Sequence, residues 1–321
     1  MKRMMIVDGQ NQFMRSYIVN PTLTPHGDPC GGVVGFLQSM NKFCDSISPD
    51  VFVVVWDGDG GSSKRRAQNK NYKVGRKPPK LNRWGNNMNP DQLRTNQIYQ
   101  QVRLIEYLNQ TPILQFREPK VEADDVISYI KSMPMFKDYQ KVIISSDKDF
   151  IQLLDEKTIL LRPTQHEVLN TNRVLSEYKI HPRNFALARA MVGDKSDNIE
   201  GLKGVGLKTV SKCFPFLSED RDYYLNDIKE HAVNVDSTLT VYEKVVDEYK
   251  RVCDNYSIMQ LSEPLISVQC AHSINERFEN YQPLYNKTEV NKMLSVDGQT
   301  ALRIDCINTT FNSMINSWNG F

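Results

Sequence analysis

The sequence predicts an α/β protein with a mostly parallel central sheet flanked by helices. Strand-like apolar runs alternate with helical patterns through about residue 160, and that alternation is typical of parallel strands joined by right-handed crossovers. One run, Val51–Trp56, is continuously apolar and rich in β-branched residues, as in strands that are buried on both faces. After about residue 180 the pattern is almost wholly helical. We therefore predict a sheet domain over residues 1–180 and a helical region over residues 181–321.

The first half of the alternation contains a long segment without a core pattern. A strand is predicted at 4–7, and apolar residues at helical spacing predict a helix at 33–44. Residues 58–90 form a weakly apolar stretch, and such long stretches inside a compact domain are usually functional or disordered. A helix is expected at 91–108, with a buried face formed by Leu93, Ile98, Val102, Ile105 and Leu108.

The second half is built around an acidic helix, predicted at 122–131. A short strand at 112–116 precedes it, and a further apolar run predicts a buried strand at 141–146. Segments 158–162 and 166–169 are expected to pair as a hairpin at the sheet edge. The remaining predicted elements are a helical continuation at 150–154 and helices at 172–178 and 182–192.

Composition and cysteine use are those of an ordinary soluble globular protein. Of the 321 residues, 40% are hydrophobic and 24% are charged, and the net charge of +2 says little about partners. The six cysteines form no Cys-x-x-Cys pair and no zinc-like spacing, so structural thiols in a reducing compartment are expected. The first apolar run ends at Asp8, too early for a signal peptide, and no later run approaches a membrane span. We therefore expect a cytoplasmic protein with no membrane association.

Positive charge is concentrated in one stretch of the chain. Residues 60–90 contain nine lysines and arginines but no aspartate or glutamate. A basic block in a chain that also has acidic clusters indicates a polyanionic substrate that meets a metal site. The nine residues are Lys64, Arg65, Arg66, Lys70, Lys73, Arg76, Lys77, Lys80 and Arg83.

Carboxylates follow the strand-like runs of the predicted sheet. Asp8 follows the first strand, Asp57 follows Val51–Trp56, and Asp147 follows 141–146. Because the carboxyl ends of parallel strands share one edge, these side chains should meet there. Crowded carboxylates repel each other unless cations hold them, and oxygen ligands favour Mg²⁺ or Mn²⁺. The acidic set is Asp8, Asp57, Glu122, Asp124, Asp125, Asp147, Asp149, Asp194 and Asp197.

The cluster at 122–125 also has a simpler interpretation. A helix places Glu122 and Asp125 on one side, with Asp124 beside them. Acidic residues at the start of a helix complement its dipole, so this cluster by itself does not require a metal.

A glycine-rich segment over 199–212 predicts a helix–hairpin–helix. Gly201, Gly204 and Gly206 permit positive φ angles and close backbone approach. Amides at the start of the following helix would form an anion site, beside Lys208 and Thr209 on its first turn. An ordinary turn between helices is the alternative, but the combination Gly-Val-Gly-Leu-Lys-Thr after an acidic loop favours binding of the DNA backbone.

These motifs together resemble the structure-specific 5′-nucleases: the flap endonucleases, the 5′-nuclease domain of bacterial DNA polymerase I, and the phage ribonuclease H-type 5′-exonucleases. The matching blocks occur in the family's order across residues 4–215, and segment 311–317 resembles the tail of the T-even phage enzymes, which points to a phage origin and a host cytoplasm. The blocks are Ile6-Val7-Asp8-Gly9, Val55-Trp56-Asp57-Gly58, Tyr72-Lys73-Val74-Gly75-Arg76, Glu122-Ala123-Asp124-Asp125, Ser146-Asp147-Lys148-Asp149-Phe150, Gly193-Asp194-Lys195-Ser196-Asp197-Asn198 and the hairpin over 204–209.

The resemblance implies a PIN-like fold in which two Mg²⁺ ions, replaceable by Mn²⁺, are held by the acidic edge. The first ion would be bound by Asp8, Asp57, Glu122 and Asp124. The second would be bound by Asp147, Asp149, Asp194 and Asp197, with Asp125 nearby.

The resemblance also implies how DNA is bound. The basic stretch 60–90 looks like the helical arch that a 5′ single strand threads, so Arg65 and Arg66 are expected to contact DNA. Lys73 and Arg76 match the cations that approach the scissile phosphate, and Tyr72 matches a position that stacks on a base. The hairpin resembles one that grips duplex DNA, often with a bound K⁺; its expected contacts are Lys203, Gly204, Gly206, Lys208 and Thr209.

The sequence departs from the family in two places. Residues 77–89, including Trp84, are longer than the usual link after the arch, which leaves the role of this insertion open. Leu207 stands where the family often has a small residue or proline.

Three hypotheses compete for the function. The first is a monomeric 5′-3′ exonuclease and flap endonuclease that cuts 5′ flaps, nicks and RNA primers, including RNA–DNA hybrids, with single-strand-binding protein or a sliding clamp as partners. The second is a non-enzymatic DNA-binding module of the same fold, which predicts missing carboxylates. The third is a single-strand ribonuclease, which needs no hairpin. The intact acidic set and the hairpin favour the first.

Overall fold

The framework of the protein is a six-stranded sheet, seen in a computed structural model that describes residues 1–75 and 88–318. The strand order is β3-β2-β1-β4-β5-β6; the first five strands run parallel and β6 pairs antiparallel with β5. The predicted α/β class with a mostly parallel sheet is therefore confirmed. The strands are β1 (Arg3–Asp8), β2 (Val51–Trp56), β3 (Leu114–Arg117), β4 (Gln140–Ile144), β5 (Thr158–Arg162) and β6 (Glu167–Leu169).

The register of the central strands aligns their carboxyl ends. Asp8 at the end of β1 is opposite Val55 near the end of β2, and Val7 is opposite Ile144, the last residue of β4. The residues that follow these strands therefore leave the sheet along one edge. Asp8, Asp57 and Asp147 lie at or just beyond the ends of strands at that edge.

Helices cover both faces of the sheet, and a short second ladder pairs β7 (Gly193–Asp194) with β8 (Ile199–Glu200). The helices are α1 (Gly9–Val19), α2 (Gly31–Ile47), α3 (Ser63–Gln68), α4 (Pro90–Asn109), α5 (Ala123–Ser132), α6 (Thr171–Tyr178), α7 (Phe185–Val192), α8 (Leu207–Cys213), α9 (Leu225–Asn234), α10 (Thr240–Asp247), α11 (Tyr249–Met259), α12 (Val268–Glu279), α13 (Lys287–Val296) and α14 (Asp305–Ser317).

The two faces of the sheet have separate cores. On one face, α5 and α7 to α12 pack around a cluster that includes Ile6, Val53 and Phe278. On the other face, α1, α2 and α4 pack with the last two helices, so that Phe36 of α2 and Phe311 of α14 share one core. The C-terminal helices thus complete the layer that the N-terminal helices begin.

The buried face of α4 differs from the prediction. Leu108 is buried as expected, but Ile98 and Val102 are 52% and 51% exposed, and the buried positions are instead Gln100, Leu104 and Tyr107. Gln100 accepts a hydrogen bond from the Gly32 amide at 2.7 Å and donates to the Pro29 carbonyl at 2.7 Å. These polar contacts with Pro29 and with the first turn of α2 favour burial of the Gln100 side of α4.

Two smaller features refine the predictions from the sequence. The helical continuation expected at 150–154 is a 3₁₀ turn at Asp149–Leu153, and the basic stretch, expected to resemble a helical arch, contains a short helix, α3. The cysteines form no disulfide in the described part of the chain. Across residues 1–75 and 88–318, no helix has the length and apolar character needed to cross a membrane.

Candidate active site

The carboxyl edge of the sheet holds Asp8 in a fixed orientation. One oxygen of Asp8 accepts a hydrogen bond from the Asn11 amide at 3.0 Å and so caps α1, while the other accepts one from the Ser145 hydroxyl at 2.9 Å. Asp57, after β2, accepts one from the Ala123 amide at 2.9 Å at the start of α5. The predicted convergence of these strand ends is present in the structure.

The carboxylates at this edge perturb one another. Burial raises the pKa of Asp8 to about 7, and the nearby Asp57 and Asp147 add to the shift. Burial also raises the pKa of Asp124; Lys73 opposes this shift, whereas Asp147, Glu122 and Asp8 reinforce it. Asp149 behaves like Asp8, with a pKa raised to about 7 by burial and by Asp147. Like charges this close favour a bound cation.

Glu122 is surrounded by donors from the basic stretch. Its Oε1 accepts hydrogen bonds from the Ser62 hydroxyl at 3.0 Å and the Lys73 ammonium at 2.6 Å. Its Oε2 accepts from the Arg65 guanidinium at 2.6 Å and the Tyr72 hydroxyl at 3.1 Å. Burial would raise the pKa of Glu122, but Lys73 and Arg65 outweigh it and lower the pKa. This carboxylate is therefore ionised and engaged by the protein's own cations.

Lys73 lies on a turn that is attached to the second acidic loop. The residue has a φ of 55°, in the left-handed region that non-glycine residues seldom adopt. Its amide donates to the Asp197 carbonyl at 3.0 Å. The Asn198 side chain donates to the carbonyls of Asn71 at 3.1 Å and Val74 at 2.5 Å. The turn of Lys73 and the loop 194–198 are thus joined by three hydrogen bonds.

Arg65 and Asp125 are placed differently from the expectation. Arg65 is 3% exposed, and its guanidinium contacts Asp125 at 2.6 and 3.2 Å as well as Glu122. Its Nε donates to the Ile258 carbonyl of α11 at 2.9 Å. Asp125 also accepts from the Leu265 amide at 2.9 Å. Arg65 is therefore a buried link between three elements and not an exposed DNA contact, and Asp125 is committed to protein donors.

The other predicted residues of the basic stretch are divided between surface and interior. Arg66 is exposed and donates to the Tyr72 carbonyl at 3.3 Å. Tyr72, expected to stack on a base, is 3% exposed in a small core with Ile199 and Ile258. Arg76 and most of the 77–89 insertion lie outside the described residues.

Arg189 is a site residue that the sequence reading missed. On α7, its Nε donates to Asp149 at 2.8 Å, its Nη2 to Asp194 at 2.5 Å and its Nη1 to the Gly193 carbonyl at 3.1 Å. Burial would raise the pKa of Asp194, but hydrogen bonds from Ser196 and Arg189 hold it below its usual value. The sequence feature that could have identified it is that Arg189 is the one charged residue in the apolar segment Phe185–Val192, five residues before Asp194.

The acidic edge is suited to a divalent cation but is not assembled as a metal cage in this conformation. In the described part of the chain, no group of three or more His, Cys, Asp or Glu side chains is arranged to hold a metal ion. Lys73 and Arg65 engage Glu122, and Arg189 engages Asp149 and Asp194. The donor set is all oxygen, as Mg²⁺ prefers, and burial together with neighbouring carboxylates raises the pKa values of Asp8, Asp124 and Asp149. The residues present therefore fit the metal.

The predicted hairpin lies beside a large cleft. Gly204 has a φ of 77°, and Gly206 is the N-cap of α8. Lys203 and Lys208 are exposed, and Thr209 is half-buried. The cleft, of about 1660 Å³, is lined by the hairpin, by the turn that carries Val74 and by α11. One open surface therefore extends from the hairpin to the turn that holds Lys73.

Known proteins are similar to this chain in sequence. The family model described as 5′-3′ exonuclease, N-terminal resolvase-like domain, matches residues 3–179. The chain belongs to this family. A 5′-3′ exonuclease of Aquifex aeolicus (strain VF5) is 31% identical over 252 residues, which cover 78% of this chain and 77% of the relative. A DNA polymerase I of Caldicellulosiruptor bescii is 29% identical over 231 residues, which cover 70% of this chain but 25% of that protein. The expected nuclease family is confirmed.

Solved structures share the fold. The flap endonuclease of bacteriophage T5, in a complex with DNA and metal ions, matches with a TM-score of 0.64 at 18% identity over 94% of this chain and 100% of that chain. The catalytic core of Rad2, in complex with a DNA substrate, matches with a TM-score of 0.53 at 15% identity over 98% and 92% of the two chains. At these identities the likeness establishes the fold alone.

Proposed function

We propose that this protein is a Mg²⁺-dependent, structure-specific 5′-nuclease that hydrolyses phosphodiester bonds at 5′ flaps, nicks and RNA primers. The observation that carries the proposal is the attachment of the Lys73 turn to the acidic loop, through the Asp197 carbonyl at 3.0 Å. This attachment places a cation that could bind phosphate beside the acidic edge. The same turn lines the cleft next to the hairpin. One duplex in that cleft could therefore reach both.

The acidic edge would hold two Mg²⁺ ions. Asp8, Asp57, Glu122 and Asp124 would bind one ion, and the second would be bound by Asp147, Asp149, Asp194 and Asp197. When bound, two such ions supply activation of water and stabilisation of the leaving oxygen, which gives a 5′-phosphate and a 3′-hydroxyl. Asp125 is left out of this set because Arg65 and the Leu265 amide occupy it.

Lys73 has a role that requires it to move. In this conformation its ammonium is 2.6 Å from Glu122 and the side chain is 16% exposed. If Glu122 held a divalent cation, the Lys73 ammonium would have to leave that oxygen. Lys73 would then be free to stabilise the charge that develops on the scissile phosphate. Tyr72 and Arg65 keep the second oxygen of Glu122 in place meanwhile.

The hairpin would hold the duplex away from the cut. Exposed Lys203 and Lys208 neutralise phosphates, and the backbone at Gly204 and Gly206 can approach the DNA closely because no side chain intervenes. A K⁺ at the hairpin would assist this grip. The distance between the hairpin and the acidic edge would then determine how far from the free 5′ end the strand is cut.

The test uses 5′-labelled flap, nicked and RNA-primed duplexes, each with Mg²⁺ and with EDTA. We expect cleavage of all three with Mg²⁺ and none with EDTA. A protein that binds these substrates in Ca²⁺ but cuts none of them in Mg²⁺ would instead be a DNA-binding module.

A further inference from the structure

Arg189 is a buried cation between two carboxylates of one proposed metal position. It is 8% exposed, and its guanidinium donates to Asp149 at 2.8 Å, to Asp194 at 2.5 Å and to the Gly193 carbonyl at 3.1 Å. All three nitrogen atoms are used at the acidic edge. The charge is therefore fixed in position from three sides.

The helix that carries Arg189 cannot easily withdraw it. Phe185, Ala188, Ala190 and Met191 of α7 are completely buried, so rotation or sliding of the helix would disturb the core. Removal of the guanidinium from its partners would leave a buried charge uncompensated, which is strongly unfavourable. Arg189 thus differs from Lys73, whose long side chain can leave Glu122 without movement of a helix.

We infer that Arg189 is a positioning residue that holds Asp149 and Asp194 in place and at the same time weakens the binding of the second divalent cation. The inference rests on the proposed two-metal nuclease. A fixed positive charge repels a cation placed beside it. The positive charge of the Arg189 guanidinium partly neutralises the four carboxylates proposed to bind this ion. The second ion then binds firmly only when a substrate phosphate adds negative charge.

The first arm of the test measures metal binding without DNA. Mn²⁺ binding is followed by the electron paramagnetic resonance signal of the free ion, for the wild type, Arg189→Gln, Arg189→Lys and Arg183→Gln. Arg183 is a matched control because it is half exposed and pairs with Asp220 and Asp222 away from the edge. We expect Arg189→Gln to bind the weaker Mn²⁺ on the order of tenfold more tightly. The lysine variant and the control should match the wild type.

The second arm measures single-turnover cleavage of a 5′ flap at saturating Mn²⁺. Both Arg189 variants should be slower than the wild type, because neither lysine nor glutamine reproduces a fork that reaches two carboxylates. The Arg183 control should cut normally. Circular dichroism and thermal unfolding establish that each variant is folded.

Three outcomes overturn the inference. An unchanged affinity for the weaker Mn²⁺ in Arg189→Gln removes the electrostatic role. An Arg189→Lys variant that cuts at the wild-type rate would exclude the positioning role. This result would be decisive even if Arg189→Gln did not fold. A lysine variant with tightened Mn²⁺ binding also contradicts the charge argument. If Mn²⁺ affinities change as expected but the wild type cuts no DNA, the proposed nuclease function fails and the effect on metal binding stands.

Discussion

Lys73 and Lys208 are both basic, yet their surroundings indicate different functions. Lys73 is paired with Glu122 and attached to the acidic loop, whereas Lys208 is exposed on the first turn of α8. A group that meets the phosphate as charge develops affects the rate of cleavage. A group that neutralises a distant phosphate affects affinity.

Replacement of these two lysines by alanine separates the roles. Lys73→Ala should lower the single-turnover rate by about 10²-fold, the order seen when one electrostatic donor is deleted. Lys208→Ala should weaken Ca²⁺-supported binding and lower the salt slope by about 0.9, the contribution of one phosphate. The two variants are compared across a salt series. Equal losses of affinity without any loss of rate would make Lys73 another backbone contact.

Asp8 makes the stability of the metal-free protein depend on pH. Its pKa is raised from 3.8 to about 7 in the folded state, so between pH 4 and pH 7 the folded protein binds more protons than the unfolded chain. Stability of the metal-free protein should therefore fall as pH rises through this range and level off above it. Added Mg²⁺ should restore more stability at pH 8 than at pH 5.

Thermal unfolding in EDTA across pH 4 to 8 measures this effect. Asp8→Asn serves as the comparison, because it keeps the shape and removes the titrating group. Its stability should decline less over the same range. A variant whose pH dependence is identical to that of the wild type would show that Asp8 is not the source.

At the scale of elements, one asparagine joins the turn of Lys73 to the loop of Asp194. Asn198 has a φ of 57° and donates to two carbonyls of the turn. Asparagine tolerates this backbone conformation better than most residues, so the strain is small and the two hydrogen bonds determine where the turn lies.

Asn198→Gly and Asn198→Ala test that connection. Glycine relieves the backbone strain but loses both hydrogen bonds, and alanine loses the hydrogen bonds and adds strain. If the connection positions Lys73, both variants should cut slowly at saturating DNA, and only alanine should be markedly less stable. A glycine variant with the wild-type rate would mean that the turn is held by the Lys73 amide alone.

The elements also show what the sequence could and could not predict. Asp8, Asp57 and Asp147 were found from the chain because parallel strands must end along one edge. The predicted inner face of α4 was wrong because hydrogen bonds with Pro29 and Gly32 bury Gln100, and apolar periodicity does not detect such bonds. Arg65 is predicted as a surface cation, but its role depends on contacts with residues 57 or more positions away in the chain. Arg189 is not predicted as a site residue, because its role depends on a contact with the loop that carries Asp149.

At the scale of the whole molecule, α14 completes the core beside α2. Phe311 of α14 is 1% exposed and shares a core with Phe36 and Met40 of α2. Its replacement therefore affects the sheet layer, although it is far from the acidic edge in sequence.

Phe311→Ala should lower the free energy of unfolding by about 3 to 5 kcal/mol, the usual cost of a cavity of this size. Cleavage at low temperature should be unchanged, because Phe311 packs in the core that α14 shares with α2. Chemical denaturation measures the first and flap cleavage the second. Val268→Ala, at a position 83% exposed, should change stability by less than about 0.5 kcal/mol.

The same arrangement has a consequence for synthesis of the chain. Translation proceeds at roughly 5 to 20 residues per second, so α14 leaves the ribosome on the order of 15 to 60 s after α2 begins to form. During that interval Phe36, Met40 and the neighbouring side chains of one sheet face lack their final cover. A nascent chain of this protein should therefore recruit chaperones that recognise apolar surface, and release from them should coincide with the emergence of α14.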